Sequence, residues 1–65
     1  MTLAKFKYII QDTSEDKTLD TIDVNVVVPF SIGRSIIIDE KIYEIIDLSP
    51  MTFMSKSMIQ IVYVR

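Results

Sequence analysis

An all-β fold is predicted, a small barrel or strongly bent antiparallel sheet of five short strands, and three features of the chain predict it. The apolar residues are mostly β-branched: twelve Ile and six Val stand against three Leu and one Ala. Such residues are stiff at χ1 and fit a pleated surface. Residues 22–30 alternate, with Ile22, Val24, Val26, Val28 and Phe30 on one face and Asp23, Asn25, Val27 and Pro29 on the other; this is the period of a half-buried strand. Turn formers punctuate the chain, and nowhere does a helical period extend beyond two turns.

The elements follow in order. Phe6, Tyr8 and Ile10 alternate with Lys5, Lys7 and Ile9, giving a first strand over 3–11. The polar stretch DTSEDKTLD, residues 12–20, reads as a long loop. The second strand covers 21–30, closed by Pro29, which cannot donate to a ladder, and by Gly33, which is free to take a positive φ. RSIIIDEKIYEIIDL, residues 34–48, supplies strands over 35–39 and 42–48 joined across Asp39–Lys41. Ser49 and Pro50 stop the hairpin and could cap and start one helical turn over 50–54. Met58–Val64 forms the fifth strand. There is no internal repeat, linker or low-complexity segment, so residues 1–65 read as one small domain.

The long loop at 12–20, the tight turn at 39–41 and the helical turn at 50–54 sit where an SH3-like barrel has its long first loop, its distal hairpin and its short 3₁₀ turn. The segment FSIGRSIIIDEKIYEIIDL resembles a pattern of small SH3-like β-barrel proteins of bacteria and phages, in which a glycine turn precedes a strand, a short polar turn and a strand bearing Tyr and aliphatics. The resemblance covers residues 30–48 and implies a fold class, not an activity. An OB-like barrel is the alternative.

Composition removes whole classes of chemistry. With neither Cys nor His there is no disulfide, no thiolate or imidazole metal site, and no Ser–His or Cys–His nucleophile. The lone Gly33 rules out a glycine-rich phosphate loop and the dinucleotide fingerprint. The acids Asp12, Glu15, Asp16 and Asp20 crowd one stretch but lack the glycine and the closing bidentate Glu of a calcium loop. Asp39, Glu40, Glu44 and Asp47 could be paired as acid and base only in a cleft, which so small a barrel rarely provides. Lys56 lies beside Ser55 and Ser57, but strand neighbours point to opposite faces and cannot form a serine–lysine pair. No catalytic, metal-binding or cofactor-binding residue is assigned, and the chain is expected not to be an enzyme.

A net charge of −2 and a pI near 4.8 disfavour a broad phosphate-binding surface. Phe6, Tyr8, Tyr43 and Tyr63 with Lys5, Lys7, Arg34 and Arg65 have the composition of a base-stacking platform, but the spacing lacks its aromatic–basic interleaving. Met1–Ile10 alternates lysines with apolar residues instead of forming a signal peptide's hydrophobic run, and no apolar stretch is long enough to span a bilayer. A cytoplasmic protein of a bacterial cell is expected, with a protein partner or a homo-oligomer and no membrane.

The chain is 49% hydrophobic with mean hydropathy +0.34, and its strands carry apolar residues on both faces. If Ile36, Ile38, Ile42, Ile46 and Leu48 are core, then Ile37, Tyr43 and Ile45 face outward. Ile59, Ile61 and Tyr63 compete in the same way with Val62 and Val64. The leftover set, Ile9, Val27, Ile37, Tyr43, Ile45 and one row of the last strand, is expected to form an interface, joined by the adaptable segment that holds Met51, Phe53 and Met54, whose alternative role is to plug one open end of the barrel. The alternative covering for that patch is the 12–20 loop or the 51–58 segment folded back over it. The function expected is a non-enzymatic interaction module of the kind small phage or mobile-element genes encode, either a virion assembly part or an inhibitor of a host enzyme. A small nucleic-acid-binding barrel is the second reading.

Overall fold

The computed structural model describes residues 5–65, and the first two residues of the predicted first strand lie outside that range. Six strands form the architecture: β1 (Lys5–Asp12), β2 (Lys17–Val24), β3 (Ser35–Ile38), β4 (Lys41–Leu48), β5 (Thr52–Met54) and β6 (Ser57–Val64). They make one strongly curled, half-barrel sheet in the order β2-β1-β6-β4-β3. β5 pairs with the first half of β6, on the edge where β4 pairs with its second half. The all-β prediction holds, with one strand more than expected. One pairing departs from the antiparallel expectation: β1 and β6 run parallel along their full length, from Lys5 opposite Ser57 to Asp12 opposite Val64. Strands so distant in sequence need no tight turn between them, and the rest of the chain serves as the crossover.

Alternation along the central pair sets the core. Phe6, Tyr8 and Ile10 on β1 share a face with Val62 and Val64 on β6. Tyr8, Ile10, Ile45, Val62 and Val64 are fully buried, and Leu19, Ile22, Val24, Ile36, Ile38, Tyr43, Leu48 and Met51 pack around them. The predicted second strand lies elsewhere. The stretch 17–20, expected to be loop, is the first half of β2, which follows a four-residue turn over 13–16 and pairs with β1. Residues 25–34 leave the ladder and cross from one edge of the sheet to the other. Val28 and Phe30 still point inward, which accounts for the alternation that suggested a strand: Phe30 packs edge-on against Tyr8 at 5.0 Å, and the Val28 N–H donates to the Tyr8 hydroxyl at 2.8 Å. Pro29 fits an extended segment that asks no ladder bond of its nitrogen. Gly33 ends the crossing with φ +93°, closed by the Arg34 N–H on the Ser31 carbonyl, a turn that needs positive φ at its third position.

The helical turn expected at 50–54 is a strand instead. Ser49 Oγ, which would have capped it, accepts the Ile61 N–H at 2.8 Å, while the Ser49 N–H donates to the Ile61 carbonyl at 3.0 Å. Ser49 thus fills the gap along β6 between its β4 and β5 partners, and Met51 turns onto the core. The β5–β6 and β3–β4 turns, Ser55–Lys56 and Asp39–Glu40, have positive φ at both central residues, the handedness that matches the twist of two-residue hairpins. Ser49→Ala should orphan the half-buried Ile61 N–H and cost about 1–3 kcal/mol. A urea melt checks it, and an unchanged midpoint would show that water replaces the hydroxyl without loss.

The largest correction is in β4. Ile45 is 1% exposed and Ile42 is 73% exposed, the reverse of the predicted assignment. The register explains it. Ile37 pairs with Ile42 and Ile36 with Tyr43, so Tyr43 and Ile45 turn inward. Between Ile45, opposite Val64, and Asp47, opposite Tyr63, the ladder carries an extra residue, Ile46. This bulge resets the alternation. Leu48 therefore also faces the core, three residues after Ile45, and Ile46 is half-buried outside the core cluster.

Candidate interaction surface

With one face of the curled sheet filled by the core, the opposite face collects the remaining apolar residues. Ile9 stands beside Ile61, and Ile59 and Tyr63 share their side of β6. All four are half-buried and none belongs to the core cluster. Neither segment that could have folded back does so: residues 17–20 and 52–54 lie within the sheet as parts of β2 and β5. Further along that face Glu44 pairs with Arg65 at 3.4 Å. Beyond it stand Ile37 and Ile42, 71% and 73% exposed, as a cross-strand pair next to the Asp39–Glu40 turn. Phe53 and Met54 are exposed on β5, and Val26, Val27 and Ile32 on the crossing segment.

The predicted surface residues therefore divide. Ile9, Val27, Ile37, Phe53 and Met54 are at least partly open to water. Ile45 is not available, because the bulge at Ile46 places it in the core, and Tyr43 and Met51 lean on that core. The structure adds Ile42, and it selects Ile59, Ile61 and Tyr63 as the row of the last strand that faces outward, since Val62 and Val64 are buried. Ile42 was legible: counted back from a two-residue turn at 39–40, it falls opposite Ile37 rather than opposite a core residue.

Charges surround this surface without converging. Asp12 is buried and its Oδ1 accepts the Ser14 N–H at 2.8 Å. The Asp20 and Asp47 carboxylates accept the N–H of the next residue, Thr21 and Leu48. Among the described residues no three acidic side chains are grouped as they would be to hold a metal ion. The Lys17 ammonium lies 2.6 Å from the Glu15 carboxylate, whose hydrogen bond and charge raise the Lys17 pKa above its ordinary value of 10.5. A raised folded-state pKa contributes stability below the ordinary value that is lost as pH rises through the folded one; on a fully exposed side chain the contribution is small. The aromatic and basic residues divide between the two faces of the sheet. Phe6 and Tyr8 are on the core face, Lys7 lies opposite Asp23 on the other, and Arg65 is engaged by Glu44.

No helix of the described residues is long and apolar enough to cross a membrane. Comparison of the chain with protein-family models, with curated proteins and with solved structures finds no match.

Proposed function

We propose that the chain is a non-enzymatic interaction module that docks on protein through the apolar face of its sheet, centred on the Ile37–Ile42 pair. One observation carries the reading: the two most exposed large apolar side chains of the described residues face each other across one hairpin. Scattered exposed aliphatics are ordinary on soluble proteins, but contiguous apolar patches beyond a few hundred Å² mark interfaces. The half-buried Ile9, Ile59, Ile61 and Tyr63 lie on the same face, on the other side of the Glu44–Arg65 pair. The acidic balance of the chain supports a protein partner over nucleic acid. Its size and composition suit a phage or mobile-element product acting in the cytoplasm.

The test is light scattering of the wild type and Ile37→Lys, alone and with any protein that co-purifies, beside thermal melts. Ile37 already meets water, so the charge should move stability by no more than about 0.5 kcal/mol. At a desolvated interface the same charge should abolish assembly. A wild type that is monomeric and partnerless would overturn the reading, as would submicromolar binding of single-stranded DNA or RNA at physiological salt.

A further inference from the structure

Strand β3 is an edge of the sheet, paired only with β4. In its ladder Ile36 and Ile38 lie opposite Tyr43 and Lys41, and the Arg34 carbonyl accepts the Ile45 N–H at 2.8 Å. Bonded positions alternate in an antiparallel pair. Arg34, Ile36 and Ile38 are therefore bonded to β4, while the N–H and C=O of Ser35 and Ile37 point away from the sheet. Natural edges of this kind are guarded by inward charges, proline or a covering segment. The body of β3, Ser-Ile-Ile-Ile, is only four residues long, itself a brake on pairing, but carries neither charge nor proline.

We infer that this edge is completed by a second copy of the chain, β3 against β3 in antiparallel, two-fold pairing. This rests on the interaction-module reading and names its partner. The argument is charge complementarity. The stretch from Arg34 to Glu40 is basic at one end, apolar between, and acidic at the other in Asp39 and Glu40. Antiparallel self-pairing sets Ser35 against Ile37 of the partner subunit, so that all four outward-pointing groups on each chain bond across. It also carries each Arg34 to the other copy's Asp39–Glu40 turn. Within one chain these charges are unused: among the described residues the ion pairs are Lys17 with Glu15 and Arg65 with Glu44. The Ile37–Ile42 pairs of both copies then lie on one continuous face of the joined sheet, with the two Ile37 side chains diagonal to each other across the new ladder. The opposite edge, β2, offers no equivalent. It holds Asp20 and Asp23 within its length, and its apolar Leu19, Ile22 and Val24 are turned onto the core.

Sedimentation equilibrium on the wild type, Arg34→Glu, Glu40→Arg and the double variant tests the pairing, with thermal melts to confirm that each is folded. The wild type should reach twice the 7.5 kDa of one chain. Arg34→Glu sets like charges opposite each other at both ends of the two-fold and should weaken the dimer about tenfold; Glu40→Arg, which leaves Asp39 in place, should weaken it less. The double swap returns one opposite charge to each end and should recover part of the affinity lost in Arg34→Glu. A wild type that keeps the mass of one chain at its highest soluble concentration overturns the self-pairing, while a complex with a co-purified protein would leave the module reading standing. Assembly that occurs but responds to neither single reversal overturns the β3 edge as its site.

Discussion

Replacing Ile45 by Ala is expected to abolish most of the folded population, with a loss of about 2–5 kcal/mol in a domain whose total stability is of order 5 kcal/mol. Ile45 is the point at which three parts of the chain are joined. Its side chain is fully buried in the core, opposite Val64 of β6. Its N–H donates to the Arg34 carbonyl and its carbonyl accepts the Gly33 N–H, both at 2.8 Å. The backbone bonds survive truncation, but the methyl and ethyl groups leave a cavity that the surrounding ladders cannot close. Urea denaturation followed by circular dichroism reads the effect. Ile42→Ala, three residues earlier and exposed, is the control and should cost less than about 1 kcal/mol. Similar losses at the two sites would mean that the hairpin pairs in the other register.

Tyr8→Ala should be comparably severe, about 3–5 kcal/mol. Tyr8 is fully buried at the centre of β1, and its ring and that of Phe30 meet in a T-shaped contact at 5.0 Å and 68°. Its hydroxyl accepts the Val28 N–H, the only side-chain hydrogen bond that holds the crossing segment among the described residues. Tyr8→Phe separates the two contributions. It keeps the ring and removes the acceptor, for a loss of about 1–3 kcal/mol, and limited proteolysis should then cut within 25–34 before the strands open. A Tyr8→Phe variant as resistant as the wild type would show that packing of Val28 and Phe30 alone fixes the segment.

What the sequence reveals and conceals here follows from the range of the interactions. The β-branched excess, the Gly33 turn and the Asp39–Lys41 hairpin are local and are read directly. The 25–34 crossing is concealed because an extended segment that buries alternate residues has the same period as a strand; only the missing ladder distinguishes them. The bulge at Ile46 is concealed because inserting one residue shifts the alternation without altering composition, so counting from Leu48 back to Ile42 crosses from one face to the other. Ser49 carries a helix-start signal that is overridden by its bonds to Ile61, twelve residues away. The parallel pairing of the first and last strands has no local signature at all. The apolar surface was legible as a surplus, in that both faces of the hairpin could not be core. Which residues composed it depended on the bulge.

Hydrogen–deuterium exchange, measured by mass spectrometry at low and high protein concentration and with any co-purified partner, tests the central claim that the β3–β4 hairpin face is where this chain docks. Amides of Ser35 and Ile37 point away from the sheet and should exchange fast in the free chain, then slow on assembly together with peptides that cover Ile42. Unchanged exchange of 34–43 in a demonstrably assembled sample, or protection confined to β2, would contradict it.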